Sequence, residues 1–157
     1  HGHILDDATI ALMVERNAWL VATLAIVMDE ELLAPDLAAN PEFADVEWLP
    51  RRAAAPESYR KAIAAGVRWA CGTDAMHGRM ADEIRALIDI GIPPQDVLIA
   101  ATRSGAELCG LDRDLGTLES GKIADLIVVQ GNPLDDPDAL RDVRLVMQDG
   151  HPVRISS

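Results

Sequence analysis

The fold of this chain is indicated first by an eight-residue stretch, Val67-Arg68-Trp69-Ala70-Cys71-Gly72-Thr73-Asp74. Its apolar part has the length and character of a buried strand, and Asp74 follows where that strand ends. A carboxylate in this position is costly to bury without a metal ion, a cation or several hydrogen-bond donors. Asp74 is therefore either a functional residue or the N-cap of the next helix, and spacing alone leaves both interpretations open.

The segments upstream of this stretch alternate between helix and strand patterns. Helical spacing begins at Asp6, either Asp6 or Asp7 can serve as the N-cap, and the helix should end near Asn17. The apolar run from Trp19 to Ile26 predicts a strand covered on both faces. Residues 29–55 are rich in Pro, Asp and Glu and predict a long loop with short helical pieces, after which Pro56 begins a helix that ends before Gly66.

Downstream of Asp74 the sequence predicts two helices and then a change of pattern. The first helix covers 81–90, and the second runs from Pro93-Pro94 to Leu111. The order of elements up to this point is the alternation of strands and helices that builds a parallel sheet, so the fold class is α/β.

After Leu111 the pattern is that of a small β module. Short strands are predicted over 126–129 and 143–147. The dipeptide Asp149-Gly150 favours a tight hairpin turn into a final strand over 153–155.

Composition sets broad limits on fold and partners. The chain has 157 residues with 49% hydrophobic content, enough for one domain or parts of two, and few aromatic side chains, so we expect a soluble protein with an aliphatic core. Its formal charge of −12 repels phosphate backbones and anionic lipid surfaces, so we expect no nucleic acid and no membrane among its partners.

The two cysteines carry a weaker indication of location. Cys71 and Cys109 are far apart and lack the spacing of a redox or zinc motif. We interpret both as buried thiols rather than a disulfide, which favours a reducing compartment and a cytoplasmic protein.

Three further motifs have ordinary structural explanations. Residues 116–122 match a phosphate-binding loop, but Ile123 stands where that loop needs a Ser or Thr hydroxyl. In addition, no buried strand precedes the segment, and Glu119 would place a negative charge where the phosphate binds. A turn between a helix and a strand is the better interpretation. His1-Gly2-His3 could chelate a metal or could be a disordered end of the chain. His77 and His151 are expected at the surface.

Several segments nevertheless resemble, in their order, the signatures of the amidohydrolase superfamily, and the likeness extends over essentially the whole chain. The closest branch is the imidazolonepropionase-like enzymes, including relatives described as Xaa-Pro dipeptidases and arginine carboxypeptidases. The segments are His1 to Asp7, Trp19 to Thr23, Cys71 to Ala75, His77 to Arg79 and Leu115 to Leu126, of which the last is the most specific.

This resemblance implies the carboxy-terminal portion of a (β/α)8 barrel. Strand six would end at His1, strand seven would be the run from Trp19 to Ile26, and strand eight would end at Asp74, so that residues 1–114 run from the end of strand six to helix eight. Residues 115–157 would be part of a small β-sandwich that the family assembles from both ends of its chain.

The resemblance also implies a metal-dependent hydrolase that cleaves a C–N bond in a dipeptide, an acylated amino acid or a cyclic amide. His1 and Asp74 would bind one or two divalent ions, with zinc the expected metal, and Asp74 would also be the catalytic residue that moves protons. His77 and Arg79 would support the metal ligands or bind a substrate carboxylate.

The family's remaining ligands lie on strands one, four and five, upstream of His1. The expected partners are therefore the N-terminal part of the same enzyme or a complementary chain, together with a small amide or dipeptide substrate, and we expect a homo-oligomer. The alternative is a non-catalytic fragment or a subunit that completes a site with another chain. A phosphate-binding module is a third possibility, supported only by the imperfect loop match.

Overall fold

The computed structural model describes residues 1–29, 34, 38, 49–74 and 77–155, so most of the loop predicted over 29–55 lies outside the described residues. The helices are α1 Asp7–Glu15, α2 Ala25–Met28, α3 Leu49–Ala64, α4 Met80–Asp89, α5 Pro94–Ala101 and α6 Arg103–Leu108, with a 3-10 helix at Pro137–Arg141. The strands are β1 Trp19–Ala22, β2 Arg68–Cys71, β3 Leu126–Val129, β4 Val143–Gln148 and β5 His151–Ile155.

The first two strands form a parallel pair. Their register runs from Trp19 opposite Arg68 to Ala22 opposite Cys71, and the Gly72 amide extends it by donating to the Ala22 carbonyl at 2.7 Å. Helix α3 lies between them in the chain, as a parallel connection requires. Both strands therefore end at the same edge of the sheet, and the residues that follow them meet there.

The core forms where helices α1 to α5 pack around this pair. Among the described residues it is built mainly from aliphatic side chains, as the composition predicted, with Tyr59 buried in the cluster and Trp69 packed against it. Strand β1 was predicted to be covered on both faces, but Val21 is 37% exposed, whereas Leu20 and Ala22 are buried. One face of β1 is thus open in the part of the chain that the structure describes.

Two predicted boundaries before Asp74 were wrong. Strand β1 ends at Ala22 rather than Ile26, and Ala25–Met28 form helix α2. The strand stops here because the Glu83 carboxylate binds the backbone amides of Leu24 and Ala25. Helix α3 begins at Leu49, and Pro56 lies inside it. Alanine has the highest helix propensity, and three alanines directly precede Pro56. The helix therefore extends upstream despite the proline.

The helix predicted from Pro94 to Leu111 is divided at Thr102. This residue has φ −124° and ψ −86°, outside the helical region, and its hydroxyl donates to the Leu98 carbonyl at 2.7 Å. A threonine side chain that binds the preceding turn competes with the regular backbone pattern.

The buried position predicted for Cys109 was also wrong: this residue is exposed at the end of α6, whereas Cys71 is partly buried, and both are free thiols.

The β module agrees with its prediction. Strands β3, β4 and β5 form an antiparallel sheet in chain order. Asp149 and Gly150 have φ of 50° and 73°, the two positive values that a tight hairpin turn requires. No helix among the described residues is long and apolar enough to cross a membrane.

The loop that resembles a phosphate-binding motif has a structural role for its lysine. Lys122 Nζ donates to the carbonyls of Asp112 at 2.7 Å and Leu115 at 3.3 Å, and to Thr117 Oγ1 at 2.6 Å. The segment leads into β3 rather than a helix. The interpretation as a turn between a helix and a strand is confirmed.

Gly116 in this loop allows a test of how tightly the β module joins the helices. An added Cβ at Gly116 would lie 2.6 Å from Ala106 Cβ and 3.1 Å from Arg103 Cα, whereas at Gly121 it would meet nothing within 4 Å. Both glycines have positive φ, so alanine at either should cost about 1–2 kcal/mol in conformational strain. Gly116→Ala should lose a further ~1–3 kcal/mol to overpacking, measured as the free energy of urea unfolding. Equal losses at the two positions would contradict this packing.

Candidate active site

The predicted functional residues His1 and Asp74 meet beyond the carboxyl ends of β1 and β2. His1 Nε2 lies 3.5 Å from Asp74 Oδ2, and the two side chains are 55% and 42% exposed. An imidazole nitrogen and a carboxylate oxygen thus face each other at an edge that solvent and small molecules can reach.

The backbone of Asp74 distinguishes the two interpretations of this residue. Helix α4 begins at Met80 with Arg79 as its N-cap, so Asp74 does not cap the helix that follows it. Its φ of 52° lies in the left-handed region, where aspartate is tolerated but unfavourable relative to extended backbone. The N-cap interpretation is therefore wrong, and unfavourable backbone at a strand end is typical of functional sites.

Thr23 holds both histidines of the first segment. Its Oγ1 lies 2.8 Å from His1 Nδ1, and its carbonyl oxygen lies 3.1 Å from His3 Nε2. Because a carbonyl only accepts, His3 must carry its proton on Nε2. Burial lowers the pKa of His3, so this imidazole is held neutral, and its ring stacks on that of His1 with centroids 5.5 Å apart.

Helix α3 fixes the backbone of the same segment through two adjacent side chains. The Tyr59 hydroxyl donates to the His1 carbonyl and accepts from the Thr23 amide at 3.1 Å. Ser58 Oγ donates to the Gly2 carbonyl at 2.7 Å and accepts from the Leu5 amide at 3.0 Å. Burial raises the pKa of Tyr59 above its ordinary value, so its hydroxyl keeps the proton that it donates.

Glu83 is a fully buried carboxyl group next to this site. Its Oε1 accepts from the Leu24 amide at 2.8 Å and its Oε2 from the Ala25 amide at 2.7 Å. These amides open helix α2 and have no partner inside it, so Glu83 satisfies both. Burial raises the pKa of Glu83 to about 7, although the two hydrogen bonds act in the opposite direction.

His77 and Arg79 are exposed and lie on the loop after Asp74. Arg79 Nε is 2.5 Å from Asp82 Oδ2, and Arg141 Nη2 is 2.5 Å from the other oxygen of the same carboxylate. Within the described residues, no hydrogen bond or ion pair links His77 or Arg79 to the pair of His1 and Asp74. The structure therefore brings together two of the four predicted site residues.

The donor atoms present fit part of a divalent metal site. His1 Nε2 and Asp74 Oδ2 are ligand types that zinc accepts, and the contact of His1 Nδ1 with Thr23 leaves Nε2 to face outward. A catalytic zinc takes about three protein ligands, and the described ranges contain no cluster of three or more His, Cys, Asp or Glu side chains that could hold an ion.

Sequence reasoning missed Thr23, Ser58, Tyr59 and Glu83. One signal for Glu83 exists: it is one turn before Leu87 and adjacent to Ile84 on the buried face of α4. A carboxylate on an apolar helix face indicates a buried partner. Thr23, Ser58 and Tyr59 carry no comparable signal, because their contacts join positions 20 or more residues apart.

Comparison with solved structures and protein families now defines the class. The crystal structure of a Xaa-Pro dipeptidase with bound methionine matches 98% of the chain with a TM-score of 0.82 and 32% identity, so the fold is α/β and related to the TIM barrel. The amidohydrolase family model matches residues 1–153, and the chain belongs to this family. The predicted family is confirmed.

Two curated relatives have different activities. An ochratoxinase from Aspergillus niger is 31% identical over 153 residues, which is 93% of this chain. A 5-methylthioadenosine/S-adenosylhomocysteine deaminase from Moorella thermoacetica is 41% identical over 83 residues, or 45% of this chain. The chain spans 39% of the dipeptidase, 31% of the ochratoxinase and 19% of the deaminase.

Proposed function

We propose that the complete protein is a metal-dependent amidohydrolase that cleaves a C–N bond in a dipeptide, an acylated amino acid or a cyclic amide. The observation that carries this proposal is the approach of His1 Nε2 to Asp74 Oδ2, 3.5 Å apart at the carboxyl edge of a parallel strand pair. Family membership supports it, since the dipeptidase and the deaminase among the similar proteins are both named for reactions that break C–N bonds.

In this proposal His1 and Asp74 hold a divalent cation, preferably zinc, as one or two ions. Such an ion would lower the pKa of a water molecule and polarise the substrate carbonyl. His1 would bind through Nε2, because Nδ1 lies 2.8 Å from Thr23 Oγ1 and a hydrogen bond at the other ring nitrogen fixes the orientation of a ligand histidine. The remaining ligands come from the preceding strands of the barrel.

Asp74 is the proposed acid and base of the reaction. Its carboxylate would accept a proton from the attacking water and deliver it to the departing nitrogen. A side chain that is 42% exposed and adjacent to His1 has access to both groups. The left-handed backbone at this residue fixes the direction in which the carboxylate leaves the strand end.

Arg79 is the proposed contact for a substrate carboxylate, with His77 on the same loop as a supporting residue. A guanidinium group can bind a carboxylate through two parallel hydrogen bonds. Arg79 now pairs with Asp82, but Arg141 pairs with that carboxylate as well, so Arg79 can bind substrate while Asp82 keeps a partner.

Arg79→Ala tests this role against a matched control. The variant should weaken binding of substrates with a free carboxylate by about tenfold more than binding of their amidated analogues, measured as kcat/KM for both substrate types. Arg141→Ala removes the other partner of Asp82 and should affect the two substrate types equally. Equal losses with Arg79→Ala would indicate a structural role for this arginine.

The chain would divide into a barrel part and a β-sandwich part. Residues 1–114 would form the barrel from the end of strand six to helix eight, and 115–157 would join strands from elsewhere in a β-sandwich, within a homo-oligomer. The free Cys71 and Cys109 support a reducing, cytoplasmic location. The alternative, a non-catalytic fragment or a subunit that needs another chain, is favoured by the incomplete ligand set among the described residues.

Metal analysis of the complete protein, combined with a screen of dipeptides and N-acyl amino acids, tests the proposed function. We expect one or two zinc ions per chain and hydrolysis that a chelator abolishes and added zinc restores. Hydrolysis that continues in chelator without bound metal would contradict the metal-dependent mechanism, and absence of hydrolysis with metal bound would contradict the amide substrate class.

A further inference from the structure

Three successive backbone amides at the end of β1 are bound by side chains from two different helices. The Thr23 amide donates to Tyr59 of α3, and the amides of Leu24 and Ala25 donate to the two oxygens of Glu83 of α4. Tyr59 and Glu83 are both 0% exposed. The turn formed by residues 23–25 is thus clamped between α3 and α4.

The clamped turn carries the hydrogen bonds that orient His1. Thr23 Oγ1 contacts His1 Nδ1 at 2.8 Å, and Tyr59 holds the His1 carbonyl with the same hydroxyl that binds the Thr23 amide. With both the backbone and one ring nitrogen fixed, the other nitrogen faces Asp74 Oδ2. Thr23 itself is 3% exposed, so its side of these contacts is shielded from water.

Glu83 also links the clamp to the segment of the chain that follows Asp74. It lies on α4, the first helix after Asp74, whereas Tyr59 lies on α3, the helix that leads into β2. The hydrogen bonds of Tyr59 and Glu83 therefore tie the turn at Thr23 to both helices.

We propose that Tyr59 and Glu83 are positioning residues that clamp the turn of residues 23–25 so that Thr23 holds His1 toward Asp74. This inference rests on the proposed function, in which His1 is oriented to bind a metal ion. The clamp has two separate consequences: the metal affinity depends on it, and the His1 ring is held with Nδ1 toward Thr23 Oγ1 and Nε2 toward Asp74 Oδ2 in a single tautomer before metal binds.

The first measurement is zinc affinity of the complete protein by competition with a chromogenic chelator. Thr23→Val, Tyr59→Phe and Glu83→Gln should each weaken zinc binding by about 10- to 100-fold, as removal of groups that orient a ligand does, while Thr23→Ser, which keeps the hydroxyl, should bind nearly as the wild type. Leu87→Ala removes a buried side chain on the same helix as Glu83 without removing any hydrogen bond of the clamp. It should lower the melting temperature and leave zinc affinity unchanged.

The second measurement is the tautomer of His1 in metal-free protein, from nitrogen-15 NMR of labelled histidine. The wild type and Leu87→Ala should show a single His1 tautomer, whereas Thr23→Val, Tyr59→Phe and Glu83→Gln should show mixed tautomers. A fixed tautomer in wild type that is lost in these variants would support the clamp even if the protein bound no zinc, a result that would count against the proposed function alone. Unchanged zinc affinity and an unchanged His1 tautomer in Tyr59→Phe and Glu83→Gln, with melting lowered as in Leu87→Ala, would overturn the clamp.

Discussion

Replacement of Asp74 by asparagine in the complete protein should lower turnover by at least ~10²-fold while the fold is retained. Asparagine has nearly the same shape and is also tolerated at positive φ, so the backbone at 52° should persist. It cannot accept and deliver a proton as the carboxylate does. The measurement compares kcat and thermal melting in the same preparations.

Asp149→Asn is the matched control for that experiment. Asp149 also has a positive φ, 50°, but lies in the hairpin between β4 and β5. The same chemical change at this position should leave turnover unchanged. Near-normal turnover of Asp74→Asn would remove Asp74 from the mechanism, and equal losses in both variants would indicate a general effect on the fold.

The buried Glu83 should make the protein less stable as pH rises from about 4.5 to about 7. Its pKa is raised from 4.5 in the unfolded chain to about 7 in the folded one. In this window the folded chain keeps a proton that the unfolded chain has released, so the free energy of unfolding falls with rising pH, by on the order of 3 kcal/mol in total. Below about pH 4.5 the penalty is absent because the group is neutral in both states.

Glu83→Gln should remove this part of the pH dependence, because glutamine stays neutral. Tyr59 and Cys71 interact electrostatically with Glu83, but burial raises the pKa of each, so both stay uncharged throughout the window. Unfolding by urea at several pH values gives the comparison, and Glu57→Gln, at an exposed glutamate, should keep the wild-type slope. Parallel pH profiles for wild type and Glu83→Gln would show that Glu83 does not carry the effect.

Local patterns explain why much of the fold could be predicted. Strand β2 and the position of Asp74 follow from an apolar run with a polar end, and the hairpin follows from Asp149-Gly150, whose backbone preferences belong to two residues. These features depend on neighbours in the chain. The order of elements and the antiparallel β module were predicted for the same reason.

The features that sequence reasoning missed depend on distant contacts. Strand β1 ends at Ala22 because Glu83, 59 residues beyond Leu24, captures the amides that would otherwise continue the strand pattern. No periodicity within Trp19 to Ile26 contains that information. The break at Thr102 and the exposure of Cys109 were missed because the apolar pattern continued through both.

The candidate site was predicted in part, and by resemblance more than by spacing. From spacing alone, Asp74 could be either a functional residue or the N-cap of the next helix. The N-cap interpretation is excluded because α4 begins at Met80 with Arg79 as its N-cap. The family's motifs selected His1, which the structure places next to Asp74. Metal binding by this pair and the roles of His77 and Arg79 stay predictions.

We propose that this chain carries one portion of a hydrolase site that needs the preceding strands to work. A (β/α)8 barrel requires ~250 residues and eight strands. The described residues contain one parallel pair of strands, and His1 and Asp74 would supply two ligands where a catalytic zinc takes about three from protein. Unpaired strand edges also favour association with another chain.

The most direct test purifies residues 1–157 alone and measures hydrolysis of an amide together with bound zinc and mass in solution, with and without a polypeptide that carries the preceding strands. We predict an oligomeric or poorly soluble chain that lacks stoichiometric zinc and hydrolyses nothing alone, and activity that appears on mixing. A soluble monomer of residues 1–157 that holds stoichiometric zinc and turns over the amide by itself would contradict the account.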